Sequence, residues 1–282
     1  MALWSSRRRG YAVGTLAITA ALALSACGGQ QAGTDTAQPS GTAAGGAKLV
    51  NAGKLTTCTN IPYEPFQFKE GDKVVGFDVD IVDLAAKKLG VTQEIVDIDF
   101  AQIKSGAAMA SGKCDVAAAG MTITDERKQN IDFSVPYFDA TQALLAKKGT
   151  GATSLDDVKA KGLKLGAQAS TTGLDYVKGK GFDPVEYADS SKELLALQSG
   201  QADVIVQDLP VVLTWLKKPD VAAKFEMIAS LDTGEQYGIG LKKNADPVLL
   251  KAINDSIETA KKDGTYEQIF VKWFGKKPGE LG

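Results

Sequence analysis

Short apolar segments alternate with amphipathic segments from residue 55 onward, and the alternation starts a second time after residue 150. In the first series, residues 55–59 and 94–98 have the pattern of strands, whereas residues 78–89 have the pattern of a helix. Strands that alternate with helices predict mainly parallel sheets with helices on their faces. Because the series is repeated, the sequence predicts two α/β units.

A short internal echo marks the ends of two predicted strands. Residues 111–116 read SGKCDV and residues 199–204 read SGQADV, so in both a glycine ends a helix and an Asp-Val pair opens a strand. Counting about five residues on from each aspartate reaches Gly120 and Asp208. Ligands of open parallel sheets bind at the carboxyl ends of the strands, so both residues are candidates for a binding site.

The first 27 residues predict export. Three arginines at positions 7–9 precede an apolar run at 11–24 that is too short to span a bilayer comfortably, which is typical of a signal peptide. The run ends in LSAC, the pattern of a lipoprotein processing box, so we expect removal of residues 1–26 and a lipid on Cys27. An ordinary signal peptide with an incidental cysteine is the alternative, and the arginines leave the general and the twin-arginine export routes open. The prediction is a protein anchored by lipid to the outer face of the cell membrane.

Residues 27–47 predict a flexible tether behind that anchor. They contain mostly Gly, Ala, Gln, Thr and Ser and no large apolar residue. Such a segment cannot bury enough apolar surface to offset the entropy lost on ordering. Its expected r.m.s. span is roughly 25 Å, enough to hold a globular head near a membrane partner.

The composition argues against several classes of function. The chain has no histidine, which removes the commonest general base and a common zinc ligand, and we expect neither a metal nor a cofactor. The formal net charge of −2 and the lack of a basic stripe argue against nucleic acid as a partner. After Cys27 only Cys58 and Cys114 remain. In an oxidising compartment they can form a disulfide, or they can stay as two buried thiols.

Three motifs that follow each other in order carry a resemblance to a known family. Residues 60–66 read NIPYEPF, residues 76–80 read GFDVD and residues 120–127 read GMTITDER. The chain resembles the family 3 bacterial extracellular solute-binding proteins, which are the polar amino-acid receptors of ABC importers. The likeness covers about residues 54–273, and its first part is especially similar to glutamine-binding proteins.

The resemblance implies an α/β clamshell, in which two lobes, each a mainly parallel sheet flanked by helices, are joined by two crossing strands. Lobe 1 is expected at residues 48–141 plus 238–282 and lobe 2 at residues 142–237. It also implies a monomer without enzymatic activity that binds a free amino acid between the lobes. The other implied partners are the membrane permease subunits of an ABC importer.

The resemblance also assigns roles around the α-amino and α-carboxyl groups of the ligand. Arg127 is expected to grip the α-carboxylate through charge-assisted hydrogen bonds. Thr171 and Thr172 would add a hydroxyl and helix N–H groups to the same carboxylate. The acceptors for the α-ammonium would be the Gly120 carbonyl, the Thr122 hydroxyl and the Asp208 carboxylate, and Ala119 is also counted among the ligand-binding residues.

The remaining family positions surround the side chain of the ligand. Tyr63 and Phe100 would flank it and exclude water, while Asn60, Gln168 and Gln207 would lie near its end. Neutral amides favour an uncharged polar side chain, such as that of glutamine, with glutamate and cystine as alternatives. These residues also have structural interpretations: a surface arginine, helix caps at the threonines and at the aspartate, and core positions for the aromatic rings.

Two other functions fit the same fold. A cyclohexadienyl dehydratase-like enzyme would need a cleft acid or base, for which Asp208 is the obvious candidate; an aspartate paired with an ammonium group is poorly suited to proton transfer. A sensor would report the ligand to a membrane kinase or channel, and its binding head would look identical.

Overall fold

The computed structural model describes residues 41–281, so the predicted signal peptide, Cys27 and most of the predicted tether lie outside the described residues. The strands are β1 (Gly41–Thr42), β2 (Lys48–Leu49), β3 (Lys54–Thr59), β4 (Phe68–Glu70), β5 (Lys73–Val75), β6 (Thr92–Asp97), β7 (Val116–Ala117), β8 (Ile131–Phe133), β9 (Phe138–Lys147), β10 (Leu165–Gln168), β11 (Val185–Tyr187), β12 (Val204–Asp208), β13 (Phe225–Tyr237) and β14 (Gly240–Lys242). The helices are α1 (Phe77–Lys88), α2 (Phe100–Lys104), α3 (Ala107–Ala110), α4 (Asp125–Lys128), α5 (Leu155–Ala160), α6 (Thr172–Gly179), α7 (Ser190–Ser199), α8 (Leu209–Leu216), α9 (Pro219–Ala222), α10 (Pro247–Asp263) and α11 (Thr265–Phe274).

These elements form two five-stranded sheets with helices packed on them, which confirms the predicted α/β class and the two lobes. The sheet of lobe 1 has the order β6-β3-β7-β14-β8, and that of lobe 2 has the order β11-β10-β12-β9-β13. In each sheet the first three strands are parallel and the last two are antiparallel to their neighbours. Helix α1 packs against α10 and α11, so the C-terminal helices return to lobe 1.

Two extended segments carry the chain between the lobes. The first leads from β8 into β9, and the second leads from β13 into β14. Phe138 at the start of β9 pairs with Tyr237 at the end of β13. The sheet of lobe 2 therefore begins at Phe138, slightly before the boundary expected from the sequence.

The last part of the predicted tether is folded, contrary to the expectation. Strands β1 and β2 pair with each other around a 3₁₀ turn at Ala44–Gly46. Ala43 and Ala47 are buried, and the backbone N–H of Lys48 donates to Asp246 Oδ2 at 2.9 Å. The prediction for residues 41–47 was wrong because these two alanines are small enough to pack into the core without a large apolar side chain beside them.

One glycine separates two short helices within residues 100–110. Gly106 adopts φ +77°, and a Cβ at this position would lie 2.8 Å from the carbonyl oxygen of Asn130. The chain therefore makes two short helices, α2 and α3, with Gly106 between them.

A disulfide joins Cys58 on β3 to Cys114 just before β7, with 5.7 Å between the Cα atoms. Both cysteines are buried. Of the two alternatives left open by the sequence, the structure shows the disulfide. Among residues 41–281, none of the helices combines the length and the apolar character needed to cross a membrane.

Candidate functional site

A buried cavity lies between the lobes, where the carboxyl ends of β7, β10 and β12 face each other. The space has a volume of about 20 Å³, which is room for about one water molecule. All twelve ligand-binding residues expected from the sequence line it: Asn60, Tyr63, Phe100, Ala119, Gly120, Thr122, Arg127, Gln168, Thr171, Thr172, Gln207 and Asp208. Three lining residues were not expected, namely Gln67, Gln142 and Val206.

Arg127 supplies the positive charge of the cavity. It is the only arginine after position 9 of the sequence, and it is only 3% exposed. Its guanidinium donates to the carbonyl oxygens of Thr122 at 2.8 Å and Ser170 at 3.3 Å and lies over the Phe100 ring, 5.5 Å from the centroid. Burial lowers the pKa of Arg127, and nearby carboxylates, Glu235 first, counter that effect. Within the described range no carboxylate is close enough to form a salt bridge with it, so this buried cation still has capacity for an anion.

The start of α6 faces Arg127 from lobe 2. Thr171 is the N-cap: its side chain accepts from the N–H of Leu174 at 3.2 Å and donates to the Gln168 carbonyl at 2.7 Å. The hydroxyl of Thr172 lies 3.3 Å from that of Thr122 across the cleft and 3.2 Å from a carboxylate oxygen of Glu235. Helix capping at Thr171 is therefore real, and both threonines also line the cavity.

Asp208 supplies the negative charge at the end of β12. Its carboxylate accepts hydrogen bonds from the hydroxyls of Tyr63 and Tyr237 and from Gln142 Nε2. The side chain makes no capping hydrogen bond to α8, which follows it. Burial raises the pKa of Asp208 to about 6, although the three donors favour the ionised form.

Gly120 forms part of the cavity wall in a conformation that favours glycine. Its φ is +54°, and a Cβ here would lie 2.8 Å from the ring of Tyr63. Its N–H donates to Asp78 Oδ2 at 2.8 Å, while Asp78 Oδ1 accepts from Tyr137 at 2.8 Å. Burial raises the pKa of Asp78 to about 6. Asp78 thus fixes Gly120, which leaves the Gly120 carbonyl as an acceptor at the cavity.

Amide groups form much of the remaining wall. Asn60 Nδ2 donates to the Ile98 carbonyl at 2.9 Å, and Gln67 Nε2 donates to the Asn60 carbonyl at 3.1 Å. Gln207 Oε1 accepts from the Tyr63 hydroxyl at 2.8 Å, and Gln207 Nε2 donates to Glu193 Oε2 at 2.8 Å. Glu193 is completely buried behind this wall.

Besides Gln67 and Val206, four residues around the site were missed by the sequence interpretation. Gln142 and Tyr237 lie on the strands that cross between the lobes, and both donate to Asp208. Glu235 on β13 accepts from Gln142 and Thr172, and Glu193 on α7 contacts Gln207. Only Glu193 had a local signal, as an acidic residue at a helix start, and that signal points to capping. Over residues 41–281 there is no cluster of three or more metal-ligating side chains.

Comparisons with known proteins agree with this geometry. The family described as bacterial extracellular solute-binding proteins, family 3, matches residues 55–276. A probable histidine-binding protein of Neisseria gonorrhoeae is 35% identical over 92% of this chain and 94% of its own length. The ABC transporter glutamine-binding protein of Bacillus subtilis is 32% identical over 74% of this chain and 76% of its own length.

The solved structures that resemble the chain include an ancestral arginine-binding protein, with structures bound to glutamine and to arginine. It is 41% identical and has a TM-score of 0.73, with coverage of 79% of this chain and 99% of that protein. These relatives are named as binding proteins for histidine, glutamine and arginine.

Proposed function

Because the chain belongs to the bacterial extracellular solute-binding proteins, family 3, we propose that it binds a free polar amino acid between its lobes and delivers it to an ABC importer. Members of this family are exported solute-binding proteins. The twelve expected residues form the ligand site in this proposal, with glutamine as the first candidate.

One observation carries the proposal: a buried cation and a buried carboxylate face one small cavity from opposite lobes. Arg127 belongs to α4 of lobe 1, and Asp208 ends β12 of lobe 2. A free amino acid is a zwitterion, so its carboxylate matches the guanidinium and its ammonium matches the aspartate. A ligand held in this way contacts both lobes and therefore favours their closed arrangement.

The small size of the cavity requires the two lobes to move apart before a ligand can enter. A volume of about 20 Å³ is too small for an amino acid, so the lobes must separate before one enters. Cross-lobe hydrogen bonds then have to break, including those from Tyr63 to Gln207 and from Arg127 to the Ser170 carbonyl. The ligand would replace these contacts with its own.

The wall of the cavity favours a polar side chain with N–H groups. Asn60, Gln67, Gln168 and Gln207 offer amide groups there, and a dry site favours ligands that satisfy such dipoles. Glutamine, histidine and arginine, after which the relatives are named, all carry N–H groups on their side chains. We place glutamine first because the groups that line this part of the wall are neutral.

The lipid anchor is part of the proposal. Cys27 would carry the lipid after removal of residues 1–26, and the head would stay beside its permease as a monomer. The test is membrane fractionation with palmitate labelling: the wild-type chain is expected in the membrane with label, and Cys27→Ser without it. Labelling that persists in Cys27→Ser would overturn the anchor assignment.

The enzyme alternative is less favourable in this geometry. Asp208 accepts from three donors in the closed cavity and would be committed to the ammonium group of a bound amino acid, whereas an elimination needs an acid or base free to exchange a proton. The check is incubation with arogenate or prephenate, followed by product absorbance. Turnover would establish an enzyme.

The direct test is a thermal shift assay on residues 28–282. Bound ligand is first removed by unfolding and refolding, and the melting temperature is followed with each of the twenty amino acids, cystine and ornithine. A ligand at 100 times its dissociation constant stabilises the folded state by about 2.7 kcal/mol, which gives a clear upward shift. Without a shift for any amino acid, the proposed function is refuted.

A further inference from the structure

Three glutamines of the cavity have their amide nitrogens held by acceptors. Gln207 Nε2 donates to Glu193 at 2.8 Å, Gln142 Nε2 donates to Asp208 at 2.5 Å, and Gln67 Nε2 donates to the Asn60 carbonyl at 3.1 Å. An acceptor fixes which end of an amide faces it, since only the nitrogen carries hydrogens. The oxygens of these side chains therefore point away from their acceptors.

Three of the four glutamines that line the cavity have a side-chain oxygen with unused capacity for hydrogen bonds. The Oε1 atoms of Gln67, Gln142 and Gln168 are buried and have no hydrogen-bond partner among the residues that the structure describes. Gln207 Oε1 accepts from the Tyr63 hydroxyl and from the N–H of Asp208 at 2.8 Å each. Tyr63 has a single O–H, which it shares between Gln207 and Asp208. The cavity therefore offers several amide oxygens without hydrogen-bond partners, and buried acceptors without donors are costly.

Glu193 has no place in the binding of the α-amino and α-carboxyl groups. It lies in the first turn of α7, is completely buried and does not line the cavity. Its Oε2 atom contacts Gln207, while Oε1 has no partner among residues 41–281. A buried carboxyl group is unfavourable by itself, so its position directly behind a cavity residue calls for an explanation.

We propose that Glu193 is a positioning residue that selects the ligand: it holds the Gln207 amide with its oxygen toward the cavity, so that side chains ending in N–H donors are preferred. The inference rests on the proposed function, because it concerns the same site. The N–H of Asp208 holds the oxygen end of that amide. Glu193 holds the nitrogen end, and through the amide it strengthens the oxygen as an acceptor.

The protonation state of Glu193 does not remove this effect. Burial raises the pKa of Glu193 well above its usual range, and the charge of Asp208 adds to the increase. A neutral carboxylic acid still offers its carbonyl oxygen to Gln207 Nε2. Glu193→Gln therefore resembles the neutral acid and keeps an oxygen for the same contact.

The experiment measures dissociation constants by calorimetry for two pairs of similar shape on residues 28–282. Glutamine is compared with glutamate γ-methyl ester, and arginine with citrulline; the first member of each pair has more terminal N–H groups. The wild-type chain is expected to bind the first member of each pair that it accepts about tenfold more tightly, as for one well-placed hydrogen bond. A preference for the second member overturns the inference.

Three variants separate positioning from a structural role. Glu193→Met fills the same space without an acceptor, and Glu193→Asp withdraws the carboxyl from Gln207; both are expected to lower the preference about fivefold or more. Glu193→Gln is expected to stay within about twofold of the wild type. Circular dichroism identifies any variant that does not fold, and the aspartate variant tests the contact if the methionine variant fails. A preference that is unchanged in either folded variant overturns the inference.

A fourth variant tests whether the effect passes through Gln207. In a Gln207→Met background, Glu193→Met is expected to leave the preference unchanged, because the amide that it positions is gone. A further drop in the double variant contradicts the positioning role. If the wild-type chain binds no amino acid at all, the proposed function itself fails, whereas a wild-type preference that does not depend on Glu193 refutes only this inference.

Discussion

The affinity for an amino acid should depend on pH through Asp208. The ammonium group of the ligand needs the ionised carboxylate, and burial raises the pKa of Asp208 to about 6. A proton therefore competes with the ligand as the pH falls below this value. The α-amino and α-carboxyl charges of a free amino acid stay constant between pH 5 and 7, and the side chain of glutamine does not titrate, so a change in the affinity for glutamine over this range comes from the protein.

The expected size follows from the ionised fraction of Asp208. With a pKa of about 6, roughly nine-tenths of the Asp208 carboxylates are ionised at pH 7 and roughly one-tenth at pH 5. Binding at pH 5 should therefore be about tenfold weaker, equivalent to about 1.4 kcal/mol. The direction of the pH dependence is fixed as well. The ammonium group binds only after Asp208 has released its proton, so the affinity falls as the pH falls.

The assay is calorimetric titration with glutamine, or with the amino acid that gives the largest thermal shift, at several pH values from 5 to 7.5. Asp208→Asn is the matched control: it should bind about thirtyfold more weakly at pH 7, from loss of about 2 kcal/mol, and lose the tenfold change. This variant keeps Asp78, Glu193 and Glu235. The pKa of Asp78 is also raised to about 6. Any pH dependence left in Asp208→Asn comes from a group other than Asp208.

Two results would refute the reasoning. An affinity of the wild-type protein that is the same at pH 5 and 7 would show that Asp208 is not the titrating partner of the ammonium group. An equal pH dependence in the wild type and in Asp208→Asn would assign the titration to another carboxyl group.

Three further predictions concern single contacts. Arg127→Ala should weaken amino-acid binding about a hundredfold or more while the head stays folded, measured by calorimetry and circular dichroism; near-normal affinity would contradict the carboxylate assignment. Gly120→Ala should weaken binding about tenfold, because φ is +54° and the added methyl would lie 2.8 Å from the Tyr63 ring; unchanged affinity would show that the wall can yield. Replacing Cys58 and Cys114 by serine should lower the free energy of unfolding in urea by about 4 kcal/mol, as estimated for closure of a long loop, and an unchanged urea midpoint and slope would count against a stabilising disulfide.

The strand ends could be predicted from the sequence because they depend on local patterns. The echo of SGKCDV and SGQADV places Gly120 and Asp208 at the ends of strands, and β7 and β12 bring both to the cavity. Helix α1 could be predicted nearly as well. Its Val82, Ala86 and Ile81 are buried, whereas Val79 is only half-buried, because the helix meets α10 and α11 as well as the sheet.

The residues that support the site could not be predicted from the sequence in the same way. Gln142 reaches Asp208 because β9 and β12 pair antiparallel with these two residues opposite each other. Glu193 reaches Gln207 only through the packing of α7 on β12. Such contacts depend on the register of strands and helices that are far apart in sequence, and the only local signal, the helix start at Glu193, indicates capping and not a contact with Gln207. Periodicity and capping signals therefore identified elements but not their partners.

Both ends of the described chain belong to lobe 1, since β1 and β2 dock there and α11 returns there. The hydrogen bond between Lys48 and Asp246 joins the N-terminal segment to the start of α10. A force applied to that segment would therefore act on lobe 1. Lobe 2 is formed by the chain between Phe138 and Tyr237. A force applied to the N-terminal segment is therefore transmitted through lobe 1 and not through lobe 2. If Cys27 carries the proposed lipid, tension on the N-terminal segment would therefore not oppose closing of the lobes, and the affinity for an amino acid would not depend on how far that segment is stretched.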